Sequence, residues 1–222
     1  MGLRVCHDLA MRVDHVSYAA ETGGLRDTAA RLADAIGVNA LDGGVHPRFG
    51  TRNMVLPLTQ GRYVEVVEVL DHPASDKAPF GQAVRARSLD GGGWLGWVVA
   101  VDDMGPHEQR LGREAVAGSR HRPDGVELRW RQLGVKGLLS DPQLPFMTRW
   151  ETGGDLHPSA AGPSSVRLAG LQIAGDKTRV TDWLGLPADY ASTEVEFTFV
   201  APHGTPGLLS CSFETPTGLV VV

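Results

Sequence analysis

The amino-acid sequence predicts an α+β fold built from repeated βαβββ units that form cupped mixed sheets. Three observations predict it. A short strand of small residues, ending in an acid where a helix begins, occurs three times, at residues 14–21, 96–102 and 170–176. The copies recur at intervals of about eighty residues, the mark of a repeated supersecondary unit. Stretches such as Tyr63-Val64-Glu65-Val66-Val67 carry the β-branched and aromatic composition of strands. The 28 Gly and 14 Pro of the chain signal frequent turns, and so short strands rather than long helices.

The elements follow in order. Residues 12–19 read as the first strand, with Val13, His15, Ser17 and Ala19 on one face and Asp14, Val16 and Tyr18 on the other. Leu25, Ala29, Leu32 and Ile36 recur at helical spacing, and Gly37 stops that helix. Residues 42–50 form a polar, turn-rich loop. Strands are expected at 51–58 and 62–70, completing a unit over 12–70. Residues 71–90 read as a linker with a short helix over 79–88. A second unit over 94–152 has strands at 94–101, 116–120, 126–133 and 144–150 and a helix at 103–111. A Gly/Pro/Ser-rich connection follows at 153–165. A third, divergent unit over 166–222 has strands at 166–173, 194–200, 208–215 and 218–222 and a helix at 176–184. Residues 1–11 read as an N-terminal tail, leaving 12–152 as the paired main body.

Composition narrows the function classes. A net charge of -5 argues against charge-driven nucleic-acid binding. No apolar run reaches the roughly twenty residues that span a bilayer, so no membrane partner is expected. The first ten residues hold Arg4, His7 and Asp8 and lack the apolar core of a signal peptide. Two cysteines, Cys6 and Cys211, make neither a disulfide framework nor a zinc motif, which fits a reducing, cytoplasmic setting.

Several strings resemble the vicinal-oxygen-chelate superfamily of glyoxalase I, extradiol dioxygenases and bleomycin-resistance proteins, and most of all its glyoxalase-like branch. They are Val13-Asp14-His15-Val16, His46-Pro47-Arg48-Phe49-Gly50-Thr51-Arg52-Asn53, Tyr63-Val64-Glu65-Val66-Val67, Leu128-Arg129-Trp130-Arg131, Leu144-Pro145-Phe146, Trp150-Glu151 and His157-Pro158. The resemblance implies paired units around a site for a small-molecule ligand. It implies a divalent metal (zinc, iron, manganese or nickel) held by a His on the first strand and a carboxylate on the last strand of each unit. The first unit offers His15 and Glu65, and Glu65 would also be the catalytic acid–base group. The second unit departs from the pattern, with Gly96 and Thr148 aligned at those positions. The resemblance is also compatible with a homodimer joined through sheet edges.

Each candidate has two readings. His15 and Glu65 are a metal pair, or a hydrogen-bonded pair lining a pocket. His46, Arg48, Arg52 and Asn53 bind ligand, or tie up loop backbone. Arg129, Arg131 and Arg149 form an anion pocket, or a solvated sheet face. His157 lines the ligand site, or else it or His46 supplies a third metal donor. The expected function is a small-molecule-binding protein with a polar Arg/His pocket and a degenerate metal site. The alternative is a metal-dependent lyase, isomerase or dioxygenase acting on a small oxygenated substrate.

Overall fold

The computed structural model describes residues 11–190 and 192–222. Cys6 and most of the expected tail lie outside the described residues. Elements are numbered in chain order.

The first unit runs β1 (Met11–Ala19), α1 (Leu25–Ile36), β2 (Leu41–His46), β3 (Thr51–Pro57) and β4 (Tyr63–Val69). Two helices follow, α2 (Pro73–Lys77) and α3 (Pro79–Leu89). The second unit runs β5 (Gly93–Val101), α4 (Gly105–Leu111), β6 (Val116–His121), β7 (Glu127–Leu133), α5 (Gly137–Ser140) and β8 (Phe146–Trp150). The eight strands close into a barrel in the order β1-β4-β3-β2-β6-β7-β8-β5. Each unit places its last strand parallel to its first, β4 beside β1 and β8 beside β5. The units join where β1 runs antiparallel to β5 and β2 meets β6. Mixed, curled sheets of this kind are the expected α+β architecture.

The strand β2 falls inside the stretch expected to be a loop. Its two glycines hid it, and packing explains them. A Cβ on Gly43 would lie 2.1 Å from Asn53 Oδ1. Gly44 has φ +102°, and a Cβ there would lie 1.9 Å from the His121 carbonyl. Strand glycines of this sort mark close backbone approach rather than a turn.

The region between the units does more than link them. Phe80, Ala83 and Val84 of α3 pack with Ala19, Val67, Val98, Leu138 and Phe146, so the helix closes one end of the barrel. The outer face of β1 and β5 presents Val13, Val16, Trp94, Trp97, Val99 and Val101 to a second layer.

That layer is built from β9 (Arg167–Ala174), α6 (Lys177–Leu184), β10 (Glu196–Val200), β11 (Gly207–Thr215) and β12 (Gly218–Val221). It repeats the order of elements but not the pairing: the sheet reads β10-β9-β11-β12, with β10 parallel to β9 across α6. Leu168, Leu171, Ile173, Cys211 and Phe213 are buried against the barrel. Trp94 stacks on Phe213, with ring centroids 6.4 Å apart. Among the described residues, no helix is long and apolar enough to cross a membrane.

Candidate functional site

Strand alternation decides which side chains enter the barrel. From the first unit come His15 on β1, His46 on β2, and Tyr63 and Glu65 on β4. From the second come Arg120 on β6, Trp130 and Gln132 on β7, and Phe146, Thr148 and Trp150 on β8. Phe49, from the β2–β3 turn, and Phe80 of α3 complete the wall. The free space left between these groups is about 30 Å³, on the order of one or two waters. Gly118 makes room for one of the two tryptophans: a Cβ there would sit 2.4 Å from the Trp130 ring.

Glu65 anchors the polar side. Asn53 Nδ2 donates to Oε1 at 2.7 Å and Ser17 Oγ donates to Oε2 at 3.0 Å. His46 Nε2 lies 3.6 Å from Oε1 and His15 Nε2 lies 4.0 Å from Oε2. Burial pushes the carboxyl upward, but His46, His15, the Asn53 amide and Arg120 outweigh it and hold Glu65 below its ordinary value. It is therefore a fixed anion, with a donor on each oxygen, and a weak proton acceptor. Burial pulls His46 down to about 4, against the opposing pull of Glu65. The neutral ring suits the tautomer in which Nδ1 accepts from Thr51 Oγ1, at 3.1 Å, and Nε2–H points at Glu65.

Asp14 is the group that strand alternation misplaced. Between Val13 and His15 the β1–β5 register slips, and Asp14 is the extra residue of a β-bulge. Its fully buried carboxylate takes His15 Nδ1 at 2.9 Å and Trp150 Nε1 at 3.2 Å on Oδ2. Arg12 Nη2 at 2.9 Å and His157 Nε2 at 3.2 Å meet Oδ1. Burial opposes this charge, yet the two histidines hold Asp14 far below the ordinary carboxylate range. With Nδ1–H committed to Asp14, His15 turns Nε2 into the cavity, where it can accept a hydrogen bond or a proton from a bound molecule.

The other expected residues divide. Asn53 and His46 belong to the cavity wall or its hydrogen bonds. His157 stays outside the cavity but packs edge-on against Tyr63 and Trp150, which line it. Arg48 is exposed on the turn, near the Ala117 carbonyl. Arg52 is exposed and pairs with Glu68 at 2.7 Å. Arg129 and Arg149 are exposed and Arg131 half-buried, all on the outer side of β7 and β8. Arg131 and Arg149 bind the backbone carbonyls of Ala115 and Asp102. The same alternation that turns these arginines outward turns Trp130, Gln132, Thr148 and Trp150 inward. Arg120 went unnoticed in the sequence. The available signal was its parity with Gly118 on a strand that faces the first unit.

The register also tests the metal. His15 pairs with Tyr63 on β4, and Val98 pairs with Phe146 on β8. If Phe146 is the counterpart of Tyr63, so that Thr148 stands for Glu65, then the counterpart of His15 is Val98 rather than Gly96. Val98 has no ligating atom, and Thr148 offers a neutral hydroxyl in place of a carboxylate. The two imidazoles of the first unit lie against opposite oxygens of Glu65. Among the described residues, no group of three or more His, Cys, Asp or Glu could hold a metal ion. The donor set present does not fit the divalent metal the resemblance implied.

The chain is similar to several known proteins. A family described as a glyoxalase-like domain matches residues 13–186. A hypothetical protein from Staphylococcus aureus is similar in structure, with a TM-score of 0.60 and 14% identity over 85% of this chain and 84% of that one. Methylmalonyl-CoA epimerase from Mycobacterium tuberculosis matches with a TM-score of 0.42 and 15% identity, over 64% of this chain and 87% of that one. An epimerase variant from Streptomyces coelicolor, in complex with 2-nitronate-propionyl-CoA, matches with a TM-score of 0.40 and 14% identity over 63% and 95%. No curated protein matches the chain.

Proposed function

From the premise that the chain belongs to the glyoxalase-like domain family of the vicinal-oxygen-chelate superfamily, we propose that it binds a small polar molecule inside the barrel, without a metal in the family position. The observation that carries this reading is the cavity itself. One wall is aromatic, from Phe49, Phe80, Trp130 and Phe146, and the other is polar, from His15, His46, Glu65, Arg120 and Thr148. A pocket that is mostly apolar with a few convergent polar groups is the usual form of a small-ligand site. In this reading Glu65 and Asp14 hold their histidines in fixed orientations, and the ligand meets His15 Nε2 and Arg120.

The test is a ligand-observed magnetic-resonance screen of small fragments, repeated on Thr148→Phe. The larger side chain fills the cavity from β8, and circular dichroism and the melting temperature report whether the variant folds. Hits lost in the folded variant place binding in the barrel. Hits that persist with the cavity filled refute the reading.

A further inference from the structure

We infer that the barrel cavity is built to receive an anion and that Arg120 is the group that meets it, which makes the ligand a short-chain carboxylate. This deepens the proposed barrel site and rests on it. Two arginines are buried among the described residues, Arg62 and Arg120. Arg62 is fully engaged: Nε donates to the Val13 carbonyl at 3.1 Å, Nη1 donates to Gln60 at 2.6 Å, and Nη2 pairs with Glu194. Arg120 is not. Among the described residues its one side-chain hydrogen bond runs from Nη1 to Asn53 Oδ1 at 3.4 Å, and its buried Nε meets no partner.

Asn53 explains why Glu65 does not neutralise this guanidinium directly. The amide donates to Glu65 with Nδ2 and accepts from Arg120 with Oδ1, so it stands between the two charges. A buried guanidinium with open donors is costly unless an anion meets it, and its planar fork matches the two oxygens of a carboxylate. Phe49 and Trp130 line the same cavity and offer a surface for the apolar end of the acid. The small free volume, on the order of one or two waters, limits that end to a methyl group or little more. The anion-binding role expected of Arg129, Arg131 and Arg149 falls in this scheme to an arginine on the inner face.

Calorimetric titration of the full chain with acetate, propionate and pyruvate tests the inference, with acetamide and propionamide as neutral controls of the same shape. The acids are expected to bind at least about tenfold tighter than the amides, the size of a charge-assisted hydrogen bond. Arg120→Met is expected to weaken the acids by roughly ten- to a hundredfold and leave the amides unchanged. Amides binding as tightly as acids would overturn the inference while leaving the barrel site intact. Acids that bind Arg120→Met undiminished, or that fail to bind the unaltered protein at about 50 mM, also overturn it. Loss of every fragment hit in the screen above is the separate failure of the barrel site.

Discussion

Acid should destabilise this protein through His46 before it reaches the carboxylates. His46 is buried, 4% exposed, and burial pulls its pKa from 6.5 to about 4. Between those values the unfolded chain holds a proton on this ring and the folded chain does not. The unfolded state then binds more protons, so stability falls as pH falls through that window. A shift of about 2.5 units corresponds to roughly 3 kcal/mol in full, of which about 2 kcal/mol is lost between pH 6.5 and 5. Asp14 and Glu65 act later. Both are held below their ordinary values of 3.8 and 4.5. Their contributions are therefore complete above the unfolded values and fade only below about pH 4.5. His107 is also pulled down by burial and adds a loss of the same sign. Replacing His46 isolates its share. His46→Gln keeps a donor toward Glu65 and removes the titration. Urea unfolding followed by tryptophan fluorescence from pH 7.5 to 5 gives the slope for each protein. The variant should lose about 2 kcal/mol less than the unaltered chain over that range. Equal losses in the two proteins would refute the claim that His46 is held neutral by burial.

Three further outcomes follow from the same geometry. Asp14→Asn removes a buried charge that four donors share, and should cost about 3–5 kcal/mol by thermal unfolding; a loss below about 1 kcal/mol would show that the bulge carboxylate is not the hub it looks like. Gly118→Ala sets a methyl group 2.4 Å from the Trp130 ring, and should cost about 1–3 kcal/mol and shift the tryptophan emission, whereas an unchanged spectrum would mean that ring is free to move. Protein purified without chelator should carry well under one equivalent of zinc, iron, manganese or nickel by elemental analysis; stoichiometric metal that is lost on His15→Ala would restore the metal-dependent lyase, isomerase or dioxygenase reading.

The local signals in the sequence were strong where one property repeats along the chain. Strand composition marked β4, the i, i+4 leucines and alanines marked α1, and the string around Asn53 pointed to the edge of the site. Faces are legible too: Glu65 and Glu68 differ in parity along β4, and Glu65 is buried in the cavity while Glu68 pairs with Arg52 outside. Parity equally separated Arg129 and Arg131 from Trp130, but parity cannot say which face is the inner one. Only closure of the barrel, with β6 meeting β2, turned the tryptophan inward and the arginines out.

The sequence by itself determined the class of fold and most of its elements in order, because hydrophobic period and turn chemistry are properties of neighbouring residues. It also put glycine and threonine, Gly96 and Thr148, where the alignment looks for the second unit's histidine and carboxylate. The tertiary structure decided the rest. A one-residue bulge swung Asp14 to the side of His15, and a glycine-bearing stretch became β2 because its backbone meets β6. The helix α3 closed the barrel end, and Arg120 was left buried beside an amide with an open donor. Each of these depends on contacts between residues distant in the chain, which no local pattern encodes.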